Sequence, residues 1–117
     1  MTERDPDCLF CRIVADEIPS DRVYEDAEVI SFRDVAPQAP THVLVIPRRH
    51  VPDAHALTDD DAELLGRLFA AVRRIADDEG LGNGYRVVTN VGAEAGQSVF
   101  HLHLHLLGGR SMRWPPG

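Results

Sequence analysis

Near the end of the chain stands the stretch QSVFHLHLHLLGG, which places His101, His103 and His105 within five residues, half of the six histidines present. Strict alternation of polar and apolar residues reads as a half-buried β-strand. Alternate strand residues share a face, so the three imidazoles fall on one side and Leu102, Leu104 and Leu106 on the other. At about 3.3 Å per residue, neighbouring imidazoles stand about 6.6 Å apart and the outer two about 13 Å apart. A helix, turning about 100° per residue, would scatter them. The leucine face is a core face, and the histidine face then meets solvent, a partner or a ligand. Two chemistries fit. His-x-His pairs on strands chelate metals, but one ion needs nitrogens about 2 Å away, so two of the three ligate more easily than all three. The other is catalysis, since imidazole serves as nucleophile, acid or base near neutral pH.

The elements that position these residues follow from the pattern. CLFCRIVADEIP carries apolar residues at 9, 10, 13 and 14 and suits a short amphipathic helix ended by Pro19. RVYEDAEVISFRD reads as a hairpin around Asp26-Ala27, and HVLVIP as a buried strand closing at Pro47. Thr58 suits the N-cap of a long helix whose first residues, Asp59, Asp60 and Asp61, complement the helix dipole. Its expected core stripe is Leu65, Leu68, Phe69, Val72, Ile75 and Ala76, and Gly80 suits the left-handed position after its end. YRVVTNV and VFHLHLHLL read as the last two strands. Between them, GAEAGQS offers a ligand close backbone approach at Gly92 and Gly96 and polar donors at Gln97 and Ser98. GLGNG at 80–84 follows a helix and precedes a strand, the reverse of a phosphate-binding loop, so it ends the helix and turns the chain. The order helix, three strands, long helix, two strands, with short connections, predicts an α+β domain. Its sheet is mainly antiparallel and five-stranded, with one short and one long helix packed against one face.

At 117 residues the chain fits a single domain, 1–117, with 108–117 as a C-terminal tail. The net charge of −7 disfavours gripping nucleic acid or a membrane surface, while a small anionic ligand stays compatible with a pocket of amides and imidazoles. No run approaches the ~20 apolar residues of a membrane span, and the acidic MTERDPD start is unlike a secretory signal. Cys8 and Cys11 lie too close together for a secreted disulfide framework. These features point to the cytoplasm.

HLHLHLL fits the histidine triad pattern, and with GQSVF before it and GGRSMRWPPG after it the chain resembles the Hint branch of the histidine triad (HIT) superfamily. The likeness continues upstream through IPSDRVYEDAEVISFRDVAPQAPTHVLVIPRRH. It implies a HIT-like fold and a hydrolase of purine nucleoside phosphoramidates that needs no cofactor for catalysis. In that reading His103 attacks the α-phosphorus and forms a nucleotidyl-histidine that water then hydrolyses. His101, His103, His105 and His42 form the catalytic set, with His105 holding the phosphate and assisting proton transfer and His42 orienting His103. Asn90, Gln97 and Ser98 match positions that contact phosphate or leaving group. Asp34 matches a ribose-binding carboxylate, and Leu9, Phe10, Ile13, Phe32 and Val35 match an apolar purine slot. The resemblance further implies a homodimer in which Trp114 reaches towards the partner's site. Cys8-x-x-Cys11 departs from the best-known animal Hint proteins. Other members pair it with residues matching His50 and His101 to hold a structural zinc, and a redox-active or inert thiol pair is the alternative. Three other functions stay open: a dinucleoside polyphosphate hydrolase or nucleotidyl transferase of the same superfamily, a non-enzymatic nucleotide-binding or partner-binding module, and a zinc-dependent structural module.

Overall fold

A computed structural model describes residues 4–117. Helix α1 (Leu9–Val14) leads into strands β1 (Arg22–Glu25), β2 (Val29–Arg33) and β3 (Thr41–Pro47), then helix α2 (Ala62–Asp78), β4 (Tyr85–Val88) and β5 (Leu104–Gly108). The five strands form one sheet in the order β1-β2-β3-β5-β4, and every neighbouring pair is antiparallel. This is the α+β architecture that the element order predicts. Among the described residues no helix is long and apolar enough to cross a membrane.

The two helices take opposite faces of the sheet rather than one. Alternation along β2 and β3 sends Val29, Val43 and Val45 to the α2 side and Ile30, Phe32, Leu44 and Ile46 to the α1 side. Both faces are apolar, so each needs a cover. The larger core joins Leu102, Leu104 and Leu106 to Leu64, Leu68, Val72 and Ile75 of α2. Truncating a residue as enclosed as Leu68 to alanine costs about 2–5 kcal/mol.

The phase of α2 differs from the expected stripe. Leu64 and Ala71 are buried, whereas Leu65 and Phe69 are 40% and 48% exposed. Leu64 and Leu65 are adjacent, so either can open the stripe, and packing against the sheet selects Leu64. Thr58 caps a short 3-10 turn, Asp59–Asp61, which runs directly into α2, and the Thr58 and Asp61 side chains complete a reciprocal capping box. Gly80 takes φ 71°, the left-handed position assigned to it.

The last strand is shorter than the alternation suggests. β5 pairs with β3 only from Leu104, opposite Val45, although β3 itself runs on to Pro47. Residues 101–103 instead run beside the chain that follows β3, with the Leu102 N–H donating to the Val51 carbonyl at 2.6 Å. Their alternation persists all the same. The histidine side is closed over: His101 and His103 are 0% and 7% exposed, beneath Phe10 of α1.

Candidate functional site

β3 and β5 set the first pair of imidazoles. His105 lies opposite Leu44 in the ladder, so His42, two residues along β3, occupies the same face. His42 Nε2 stands 2.9 Å from His105 Nδ1. The Gln38 backbone N–H donates to His42 Nδ1 at 3.0 Å, which leaves the His42 proton on Nε2 and directs it to His105. His105 then keeps its own proton on Nε2. Burial pushes His105 down to about 4, reinforced by His103 and His42 and opposed by Asp34. Burial likewise lowers His42, again opposed by Asp34, whose Oδ2 lies 3.5 Å from His42 Nε2. Both rings are therefore neutral at pH 7. Although Asp34, His42 and His105 converge closely enough to suggest a metal, the Gln38 N–H occupies the nitrogen that would have to carry the His42 proton if Nε2 were a ligand.

His103 is fixed by a different device. Its Nδ1–H donates to the His101 carbonyl at 2.7 Å, and its own carbonyl accepts the Thr89 hydroxyl at 2.8 Å. The bond at Nδ1 leaves Nε2 with a free lone pair. The sequence reading pairs His42 with His103, but in the fold the hydrogen bond of His42 goes to His105. The two triad imidazoles pack edge to face, 5.0 Å between centroids.

His103 and His105 open into a cavity of about 720 Å³. Leu9, Phe10, Ile13, Phe32, Asp34, Val35 and Ser98, all singled out from sequence, line it. So do Ile18, Leu44 and Val99, which sequence reasoning missed although Ile18 and Leu44 share the apolar face of their neighbours. Asp34 Oδ1 accepts the Ala36 N–H at 2.8 Å, which holds its carboxylate at the rim. His42 and His101 stand behind the lining, one backing His105 and the other His103.

Three of the predicted nucleotide contacts lie outside the lining. Asn90 is half-buried beside Gly96. Gln97 is buried, with its carbonyl accepting the Gly92 N–H and its amide donating to the Pro52 and Val99 carbonyls, so it braces the loop. Trp114 is 82% exposed.

Behind the cavity, Cys8, Cys11, His50 and His101 converge so that one ligand atom of each lies within 4.8 Å of the others. Three of the four sulfur–nitrogen separations are 3.4, 3.4 and 3.6 Å, and the two imidazole nitrogens are 3.3 Å apart. Zinc bond lengths of ~2.3 Å to sulfur and ~2.05 Å to nitrogen, at a tetrahedral angle, require about 3.5 Å and about 3.3 Å. The residues therefore fit a tetrahedral zinc. His101 Nε2–H donates to the Pro47 carbonyl at 2.8 Å, so Nδ1 presents its lone pair to the cluster. Burial pushes His101 down to about 4, partly offset by that carbonyl, so the ring is a neutral ligand. The Cys11 backbone N–H donates to the Cys8 sulfur, and the Asp5 backbone N–H donates to the Cys11 sulfur, which favours the Cys11 thiolate. Burial nevertheless pushes the Cys11 thiol up, and a bound cation would supply the charge that holds it ionised.

Residues 15–112 match the HIT domain family. The chain belongs to the HIT family. An uncharacterized HIT-like protein of Synechococcus elongatus is 53% identical over 111 residues, covering 95% of this chain and 97% of that protein. Among solved structures, a HIT family hydrolase from Legionella pneumophila superposes with a TM-score of 0.93 at 51% identity, covering 95% of this chain and all of that one. A HIT family hydrolase from Clostridium thermocellum gives 0.91 at 44% identity, covering 93% and 96%. A histidine triad protein from Clostridium difficile gives 0.90 at 38% identity, covering 94% and 96%. In this HIT chain the triad is split by role of position: His101 faces the cysteine cluster, while His103 and His105 face the cavity.

Proposed function

We propose that this HIT protein hydrolyses purine nucleoside phosphoramidates through a covalent nucleotidyl-histidine at His103, as the Hint-like motifs imply. The observation that carries the reading is the bond from His103 Nδ1–H to the His101 carbonyl, which leaves the Nε2 lone pair of a cavity-lining ring free to act. A neutral imidazole needs no base to become a nucleophile. The purine fits the slot of Leu9, Phe10, Ile13, Phe32 and Val35, and the Asp34 carboxylate accepts from the ribose hydroxyls.

In the first step His103 Nε2 bonds to the α-phosphorus and the phosphorus–nitrogen bond breaks, its electron pair leaving with the amine. In the second, water bonds to phosphorus and the His103–phosphorus bond breaks, returning the lone pair to Nε2. The amine takes one proton and phosphorus one hydroxide, so a single water balances the cycle. The departing amine takes its proton from solvent in the first step and the attacking water returns one to solvent in the second, while His105, with its proton on Nε2, donates a hydrogen bond to a non-bridging oxygen. Ser98 adds a polar contact at the cavity edge. None of these steps passes through a metal. At Cys8, Cys11, His50 and His101 a zinc would supply structural cross-linking between α1 and the triad segment.

A homodimer is part of the same reading. Leu65 and Phe69 leave an apolar strip on α2 exposed, and Tyr85 stands 43% exposed on the edge strand β4. The deciding experiment is a substrate panel on wild type and His103→Ala: an adenosine phosphoramidate, diadenosine polyphosphates, and AMP binding alone. Preferred turnover of the phosphoramidate supports the reading. Preferred turnover of the polyphosphates transfers the assignment to that branch, and binding without turnover makes the protein a nucleotide-binding module.

A further inference from the structure

The cavity and the cysteine cluster share a wall. Leu9 and Phe10 are the two residues between Cys8 and Cys11, and both line the cavity. Phe10 is 5% exposed and sits edge-on against His101 and His103, with centroids 6.0 and 5.2 Å away. His101 touches the cluster through Nδ1 and holds the nucleophile's Nδ1–H through its own carbonyl. One short path therefore runs from the cluster to His103 by backbone, and a second runs through the Phe10 ring.

Helix α1 has six residues, too few to be stable alone, so what it packs against and what its cysteines bind decide where it sits. Two thiols and two imidazoles whose ligand atoms all lie within 4.8 Å of one another, four of the pairs at 3.3–3.6 Å, suit a shared cation. Without one they satisfy each other only pairwise, and the Cys8–Cys11 turn loses its anchor. A purine stacked on Leu9 and Phe10 favours the same placement of that turn.

We propose that metal binding at Cys8, Cys11, His50 and His101 positions the purine wall and the nucleophile together, so that metal and nucleotide bind cooperatively, with Phe10 as the positioning residue that couples them. The inference rests on the nucleotide reading of the cavity. Coupling of this kind is reciprocal: the factor by which metal tightens nucleotide binding equals the factor by which nucleotide tightens metal binding.

Reciprocity allows a test on the zinc-loaded chain. Zinc affinity is measured by competition with a chromogenic chelator, with and without saturating AMP, while circular dichroism follows the folded fraction. Zinc affinity rises about tenfold with AMP, within the ordinary range of coupling between sites. With AMP raised until the variant is saturated, Phe10→Ala loses the rise measured against its own AMP-free zinc affinity. In ¹⁵N-resolved imidazole spectra His103 holds one Nδ1–H tautomer when zinc is bound and samples both when zinc is stripped from folded protein. AMP binding with unchanged zinc affinity overturns the inference alone. So does a rise that persists in Phe10→Ala, or one that only tracks the folded fraction. Failure of AMP to bind the zinc-loaded chain overturns the nucleotide reading and this inference with it.

Discussion

His42 reaches across from β3 and places its Nε2–H on Nδ1 of His105, 2.9 Å away, with the Gln38 backbone N–H holding its far nitrogen. His105 thus has its tautomer set by a neighbouring strand, whereas His103 has its own set by the chain two residues earlier. The two cavity imidazoles consequently differ in what they present: a lone pair at His103 and a donor at His105.

That difference makes His42 separable from the nucleophile. His42→Leu leaves His103 in place but strips His105 of its donor. Turnover falls about 10–100-fold, the scale of a misoriented catalytic group. Steady-state kinetics and rapid-quench trapping check it: the nucleotidyl adduct still forms in His42→Leu, only more slowly.

His103→Ala removes the attacking atom itself. Phosphoramidate turnover drops by at least about 10³-fold, as when a nucleophile is deleted elsewhere. Intact mass measurement of quenched wild-type reactions shows a transient nucleotidyl adduct that this variant lacks.

The depressed histidines make stability depend on pH. His105 is held at about 4 in the fold, against about 6.5 in an unfolded chain. Between those values the unfolded chain binds more protons, so stability is full above about 6.5 and is lost as pH falls towards 4. A shift of that size corresponds to about 3 kcal/mol by pH 4, which solvent screening of this partly exposed ring reduces to roughly 2 kcal/mol, with the lowered His42 acting in the same direction. Melting temperatures at pH 7 and pH 5 measure it, and His105→Asn flattens the difference in part, because His101 is lowered to about 4 as well. Equal flattening by a surface change such as His55→Asn would assign the effect elsewhere.

Zinc, where bound, acts on stability before chemistry. Chelation lowers the melting temperature of wild type, and Cys8→Ser lowers it with or without chelator. Differential scanning fluorimetry with metal analysis checks this. At saturating nucleotide the chemical step in folded, zinc-stripped protein falls only in proportion to the His103 rings in the other tautomer, because His103 and His105 remain the reacting groups. A collapse of that rate would move the metal into the chemistry.

Much of this fold is written in short-range pattern. The alternation at 101–106 gives Leu102, Leu104 and Leu106 to the α2 core, and the hairpin at Asp26-Ala27 joins β1 to β2. Phase and cover are not written there. Leu64 and Leu65 offer α2 two equivalent stripes, and only the sheet chooses between them. The burial of His101 and His103 depends on where a six-residue helix docks, which is decided by tertiary packing. In the site, Asp34 and Phe32 are recognisable by resemblance, whereas the Gln38 amide and the Pro47 and His101 carbonyls are main-chain groups that no residue pattern marks.

The oxygen that aligns the nucleophile belongs to a peptide group. Inheritance exchanges side chains and leaves peptide groups standing. A descendant that had lost both cysteines and the imidazole at 101 would still carry that oxygen, so the lineage can abandon its cation and keep its reaction once other packing supports the segment.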